Sequence, residues 1–231
     1  VSNRKVFGSL LAGVDHLPQT VTRLRQAVAA GLPVVEFMDL ADAPLDMNVG
    51  FSHRAVGAAV ADWFADRGYR HIGYAGTLAA DDLRSARRAE GFRAALAARG
   101  LPDHYELRAD EPFSIALGGR LLARLLERHP QLQAVVFAND DLAAGAIFEA
   151  QRRGLQVGRD LAVLGFHDLE IAAAMPPSIS SLAVDQPGMG PRAAALLPDP
   201  LAGRPPAPPP PAPGLRLPPR ASSRTADTPA G

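Results

Sequence analysis

The sequence predicts an α/β fold in which helices flank parallel sheets. The main observation is that two apolar runs, Ala134–Ala138 and Leu161–Phe166, enclose one amphipathic helical pattern. A strand, a helix and a second strand joined in this way place the two strands side by side and parallel. The second observation is that short apolar runs alternate with helical patterns along most of the chain, which is typical of repeated βαβ units.

The central unit has clear limits in the sequence. Apolar residues recur at helix spacing between residues 143 and 148, and Gly154 ends the helix. The first strand ends at the polar run 139–141 (Asn-Asp-Asp) and the second at 167–168 (His-Asp). Ligands of open α/β sheets bind beyond the carboxyl ends of the strands. We therefore expect both polar runs to face one pocket.

The other elements follow the same two periodicities. Glycines at positions 31, 68 and 100 end three of the predicted helices. Before the central unit we predict strands at 6–14, 33–37, 48–51, 71–76 and 105–108, and helices at 20–31, 52–67, 85–99 and 114–128. After it we predict a brief helix at 171–175 and a last short strand at 182–184.

Composition excludes several classes of protein. The 231 residues, 47% of them hydrophobic, suffice for one or two domains. Because 24 basic residues balance 24 acidic ones, a general nucleic-acid-binding surface is not expected. The chain has no cysteine, which excludes disulfides and thiolate metal sites. It also has no long apolar run and no secretory pattern at its start, so we expect a cytoplasmic location and no membrane.

The end of the sequence changes in character. Of the 22 prolines, 14 lie at or after Pro187, and a dense proline run spans 205–213. Proline favours polyproline II and cannot continue a helix. We therefore expect residues 203–231 to form an irregular, proline-rich tail, in which 214–220 could still add an edge strand.

No catalytic motif is present. The sequence lacks phosphate-binding glycine loops, the HExxH zinc motif and the GxSxG nucleophile motif, and its six histidines show no metal-ligand spacing. We expect no enzymatic activity, no cofactor and no metal. Polar side chains at strand ends with an arginine nearby instead suit a polyhydroxylated ligand, since asparagine both donates and accepts and arginine can grip a carboxylate.

Several segments together resemble the effector-binding region of the lac-repressor family of bacterial transcription regulators. Their order and spacing carry the resemblance, which runs from about residue 10 to residue 202. The matching segments are 68–76 (GYRHIGYAG), 88–96 (RAEGFRAAL), 139–145 (NDDLAAG), 154–157 (GLQV), 164–169 (LGFHDL) and 177–182 (PSISSL). Segments 33–39 (PVVEFMD), 49–51 (VGF) and 165–167 (GFH) resemble the gluconate-repressor branch.

The resemblance implies a periplasmic-binding-protein-like fold and a homodimer. Two lobes, each a parallel sheet flanked by helices, would hold the effector between them. The N-terminal lobe would comprise 1–69 with 185–198 and would be incomplete, and the C-terminal lobe would comprise 70–184. Because the chain starts at what resembles the third strand, we expect the family's helix-turn-helix domain, and with it specific operator binding, to be absent from this chain.

The resemblance also implies a helix after Met189 that runs on and packs. Pro191, Pro198 and Pro200 stand where the family has leucine or arginine. Because proline breaks helices, we expect the helix to be interrupted, which would change the lobe crossover and the dimer contact.

The family's ligand-binding positions can be carried over one by one. Arg88 matches a ligand-gripping arginine, Asn139 a sugar-contacting asparagine, and Phe113 an aromatic residue that packs on the ligand. His167 stands where many sugar-binding members have an aspartate; a histidine can donate and can be positive near neutral pH, which favours a carboxylate-bearing ligand such as a sugar acid. The expected effector-binding set is Arg88, Phe113, Asn139, Asp140, His167 and Asp168.

Each of these residues also has a purely structural interpretation. Asn139 could simply cap the helix that follows it. Arg88 could be a solvated helix charge, Phe113 a core residue and His167 a loop histidine with local partners. The residues alone leave these alternatives open.

The favoured function is the sugar- or sugar-acid-sensing region of a transcription regulator, a repressor of carbohydrate or gluconate utilisation genes. The alternative is a periplasmic sugar-binding protein of a transporter, which shares the fold. An α/β enzyme is a third possibility, without a motif to support it.

Overall fold

A computed structural model describes residues 8–77, 83–197 and 215–223, which form two compact units. The first unit comprises 8–52 and 185–197, and the second comprises 53–77, 83–184 and 215–223. Both are parallel sheets flanked by helices, which confirms the predicted fold class. Of the helices in these three ranges, none has the length and apolar character needed to cross a membrane.

The first unit contains a three-stranded parallel sheet in the order β1-β2-β3. Its core forms where the last helix packs on the sheet, and Val35, Val49, Ala193 and Leu196 are buried there. The elements are β1 (Ser9–Ala12), α1 (Pro18–Ala29), β2 (Val34–Phe37), β3 (Met47–Val49) and α7 (Gln186–Ala195).

Helix α7 runs through Pro191, so the expectation that this proline interrupts it is wrong. The side chain of Asp185 accepts a bond from the backbone N of Gly188 at 3.0 Å and fixes the first turn. Ala193 is fully buried against the sheet. We infer that capping and packing outweigh the single backbone bond that Pro191 cannot donate. Residues 198 and 200 lie outside the described residues.

The second unit is built on a six-stranded sheet in the order β5-β4-β6-β7-β8-β9. All neighbours are parallel except β8 and β9, and every residue of β4, β6 and β7 is buried, as expected for strands covered on both faces. The elements are α2 (His53–Asp66), β4 (Ile72–Thr77), α3 (Leu83–Ala98), β5 (Glu106–Ala109), α4 (Ile115–Arg128), β6 (Ala134–Phe137), α5 (Asp140–Arg152), β7 (Ala162–Phe166), α6 (Glu170–Ala174), β8 (Ser180–Val184) and β9 (Leu215–Arg216).

Helix α2 packs closely on α3, and glycines make this contact possible. A Cβ atom on Gly57 would collide with the backbone O of Arg88, and a Cβ atom on Gly91 would collide with the backbone O of Arg54. This close packing places α2 in the second unit. The expected boundary between residues 69 and 70 therefore differs from the structure, in which the second unit begins at residue 53.

Part of the proline-rich tail is ordered in the second unit. Leu215 and Arg216 pair antiparallel with β8, which confirms the edge strand that the sequence left open. A short 3-10 turn, Ala221–Ser223, follows, and Ser222 and Ser223 are buried. The expectation of an irregular tail is therefore wrong for the buried turn 221–223, and residues 203–214 and 224–231 lie outside the described residues.

Candidate ligand-binding site

The carboxyl ends of three adjacent strands in the second unit carry the candidate site. Thr77 ends β4, Asn139 follows β6 and His167 follows β7. Two helices add Arg88 from α3 and His53 from the first turn of α2. This arrangement is the strand-end location that α/β sheets use for ligands.

Arg88 is a buried cation at the centre of this group. Only 6% of its surface is exposed, so the interpretation as a solvated helix charge is wrong. Its Nη2 donates to the backbone O of Ala138 at 3.2 Å, and its Nη1 lies 3.1 Å from the Nδ1 of His53. The guanidinium also stacks on Phe166, 4.1 Å from the ring centroid.

The partners of Arg88 among the described residues do not compensate its charge. A carbonyl, an imidazole and an aromatic ring carry no negative charge, and Arg88 forms no ion pair with the residues that the structure describes. Its buried Nε also finds no hydrogen-bond acceptor among them. Because a buried charge is costly unless it is paired, this guanidinium favours an anionic ligand.

The two histidines beside Arg88 are neutral. Burial, with a smaller effect from Arg88, lowers the pKa of His53 from 6.5 to about 3 and that of His167 to about 4. The lowered pKa disfavours a positive charge on His167 near neutral pH in the protein without ligand, so the attraction for a carboxylate falls to Arg88. Because a guanidinium only donates, the Nδ1 of His53 must accept the bond from Arg88, and its proton sits on Nε2.

Asn139 caps helix α5, which confirms the structural interpretation of this residue. Its Oδ1 accepts a bond from the backbone N of Leu142 at 2.9 Å. The side chain is 8% exposed, and its amide Nδ2 forms no hydrogen bond with the described residues. The cap therefore fixes the amide group and leaves a donor available to a ligand.

The loop that carries His167 has an unusual backbone. His167 and Asp168 have φ angles of 101° and 55°, in the left-handed region that residues other than glycine rarely adopt. The backbone N of His167 donates to the O of Leu182 at 3.1 Å, and that of Asp168 donates to the Oγ of Ser181 at 2.9 Å. These bonds hold the loop against β8.

Asp140 and Asp168 both support this loop through hydrogen bonds, and their direct contact with a ligand stays a prediction. Asp140 is fully buried, and its Oδ2 accepts a bond from the backbone N of Leu169 at 2.7 Å. Burial raises the pKa of Asp140 from 3.8 to about 6. The Oδ1 of Asp168 accepts a bond from the Nη1 of Arg220 at 2.5 Å.

Phe113 is 38% exposed in the loop before α4, so it is not a core residue. Stacking of its ring on a ligand stays a prediction. Sequence analysis missed two residues of the group, His53 and Thr77. Thr77 is 2% exposed, and its Oγ1 has no hydrogen-bond partner among the described residues. The only signals for them were positional, because His53 begins α2 and Thr77 ends β4.

Comparison with known proteins agrees with the fold. The sequence matches the family described as periplasmic binding protein-like domain over residues 61–223. It is 37% identical to the crystal structure of transcription regulator GntR from Chromobacterium violaceum, with a TM-score of 0.82, over 94% of this chain and 78% of that one. This fold and site define a protein of the periplasmic-binding-protein-like class.

Two curated relatives narrow the class. The chain is 41% identical over 199 residues to the HTH-type transcriptional regulator GntR of Pseudomonas aeruginosa, covering 85% of this chain and 56% of the relative. It is 35% identical over 185 residues to the regulator of the same name from Escherichia coli, covering 80% and 54%. The chain thus spans little more than half the length of these relatives. It belongs to the periplasmic binding protein-like domain family as an effector-binding region of the lac-repressor type.

Proposed function

We propose that the second unit binds a sugar acid, with gluconate as the first candidate, and senses it for a bacterial transcription regulator. The buried guanidinium of Arg88, which has no carboxylate partner among the described residues, is the observation that carries this proposal. A ligand carboxylate would supply the missing negative charge through charge-assisted hydrogen bonds.

The neighbouring residues suit the hydroxyl groups of such a ligand. The Nδ2 of Asn139 donates, and a neutral imidazole at His167 can donate from one nitrogen and accept at the other. Thr77 adds a hydroxyl that can do both. A bound carboxylate beside the two histidines would also raise their pKa, since an opposite charge favours the protonated form.

A regulator is favoured over a transport protein or an enzyme. Two relatives that match at least 80% of this chain are named as HTH-type transcriptional regulators. We propose that the whole protein acts in the cytoplasm without turnover of its ligand and that it controls operator DNA through a helix-turn-helix of the type those names state. Repression of gluconate or other carbohydrate genes is the corresponding role.

We also propose that the protein forms a homodimer through α4 and α5. Ile115 on α4 is 40% exposed and Phe148 on α5 is 50% exposed, and both line one shallow hollow with Gly119 and Gly145. Large apolar side chains exposed next to each other mark surfaces that associate.

Thermal melting with added ligand tests the sugar-acid proposal. Gluconate at a hundredfold excess over its dissociation constant should stabilise the wild-type chain by about 2.7 kcal/mol, and glucose should have a much smaller effect. Arg88→Gln should abolish the gluconate shift. Arg93→Gln is the matched control, because Arg93 lies on the same helix but is exposed and pairs with Glu106 at 3.2 Å. A gluconate shift that survives in Arg88→Gln would contradict the proposal.

A further inference from the structure

The ordered part of the tail contacts the loop that carries His167. That loop contains the two consecutive left-handed residues His167 and Asp168, neither of which is a glycine. Such a conformation is disfavoured and persists only where the surrounding structure holds it. Two of its backbone N–H groups donate to residues of β8 and a third donates to Asp140. Among the described residues, only Arg220 bonds the side chain of Asp168.

Arg220 is itself fixed at several points. Its Nη1 donates to the Oδ1 of Asp168 at 2.5 Å and to the backbone O of Ile179 at 2.9 Å. Its backbone N donates to the Oγ of Ser180 at 2.6 Å. The guanidinium therefore cannot shift without breaking its bonds to Asp168 and Ile179, and the backbone of Arg220 is held on β8.

The turn after Arg220 forms hydrogen bonds with β7 and β8. The Oγ of Ser222 donates to the backbone O of Val163 at 2.6 Å and accepts a bond from the backbone N of Ser180 at 2.8 Å. The hydroxyl groups of Ser223 and Ser180 lie 2.6 Å apart. Segment 220–223 thus joins β7 and β8 near the amino ends of both strands, and the side chain of Arg220 reaches from there to Asp168 in the His167 loop.

We propose that Arg220 is a positioning residue of the ligand site, which sets the orientation of the His167 ring by holding Asp168. The expected effect on ligand affinity rests on the proposed function, whereas the expected effect on the His167 ring does not. Ligand affinity would then depend on a segment that does not touch the ligand. Displacement of residues 215–223 would weaken binding, whatever caused it.

The test compares Arg220→Gln with Arg216→Gln in the full 231-residue chain. Arg216 is exposed on the same segment and makes no ion pair with the described residues, so it is the matched control. Two-dimensional proton–nitrogen NMR of the histidine rings, with His167 assigned from a His167→Gln spectrum, reports the ring environment. Gluconate titration by calorimetry reports affinity, and Arg220→Lys replaces Arg220→Gln if that variant does not fold.

The expected result is a shift of the His167 ring signals and at least a tenfold loss of gluconate affinity in the Arg220 variant, with neither change in Arg216→Gln. If no form of the chain binds gluconate, the sugar-acid proposal fails. A shift of the His167 ring signals in the Arg220 variant alone would still support the positioning role. A folded Arg220 variant that melts earlier but keeps wild-type His167 signals would overturn the inference, because the segment would then be only a structural support.

Discussion

Acid should destabilise the second unit because its ligand site buries two neutral histidines. The pKa values of His53 and His167 lie at about 3 and about 4, against 6.5 for an ordinary histidine. In the unfolded chain both take up a proton as the pH falls through 6.5, whereas in the folded chain they do not. Their contribution to stability is therefore complete above pH 6.5 and is lost progressively as the pH falls towards the folded values.

The size of the effect follows from these shifts. Between about pH 7.5 and about pH 5.0, each histidine should lower the free energy of unfolding by about 2 kcal/mol, since one pKa unit corresponds to about 1.4 kcal/mol. Asp140 acts in the opposite direction, because its pKa is raised to about 6 and the folded form takes up a proton before the unfolded form. Over the same pH interval Asp140 should raise the free energy of unfolding by about 1.4 kcal/mol, so the three groups together should lower it by about 2.5 kcal/mol.

Urea denaturation at the two pH values measures this loss. His167→Gln should reduce the acid-induced loss by about 2 kcal/mol, because it removes one of the two titrating groups. His104→Gln replaces an exposed histidine of the same unit and is the matched control. If His167→Gln loses as much stability in acid as the wild type, the claim that this histidine is buried and neutral is refuted.

Two further substitutions test the site and the proposed dimer. Asn139→Asp retains the cap on Leu142 but places a negative charge beside the ligand, so it should keep stability within about 0.5 kcal/mol and weaken gluconate binding at least tenfold. Asn139→Ala removes the cap and should lose about 1 kcal/mol of stability. Denaturation measures the stability and calorimetry the affinity, and unchanged gluconate affinity in Asn139→Asp would contradict the assignment of Asn139 to the site. Phe148→Glu should convert the proposed dimer to a monomer in sedimentation velocity. Phe113 is another exposed aromatic residue of this unit, and Phe113→Glu should leave the dimer intact. A wild-type chain that sediments as a monomer would count against the interface.

The sequence was sufficient for most of the fold because periodicity depends on local order. The strand, helix and strand between 134 and 166 lie where the apolar runs and Gly154 predict them. The unit to which α2 belongs was not predictable in this way. It depends on a close contact between Gly57 and the backbone of Arg88, and helix spacing shows which face is apolar but not which helix covers it.

The site was predicted in part, for a similar reason. Arg88 and Asn139 were found because short motifs carry them. The neutral state of His167 was not, because it follows from burial and from the charge of Arg88, which only the folded chain brings together. Asp168 and Arg220 are 52 positions apart, and the proline-rich composition around Arg220 indicates an irregular chain, so the sequence did not predict their contact.

We propose that the buried guanidinium of Arg88 binds the carboxylate of a ligand. Calorimetric titration of the wild-type chain with gluconate and, in parallel, with glucose tests this proposal most directly, because gluconate carries the carboxylate that glucose lacks. Gluconate should bind at least tenfold more tightly than glucose, and Arg88→Gln should remove this preference while Arg93→Gln retains it. Equal affinity for both sugars, or a preference for glucose, would contradict it.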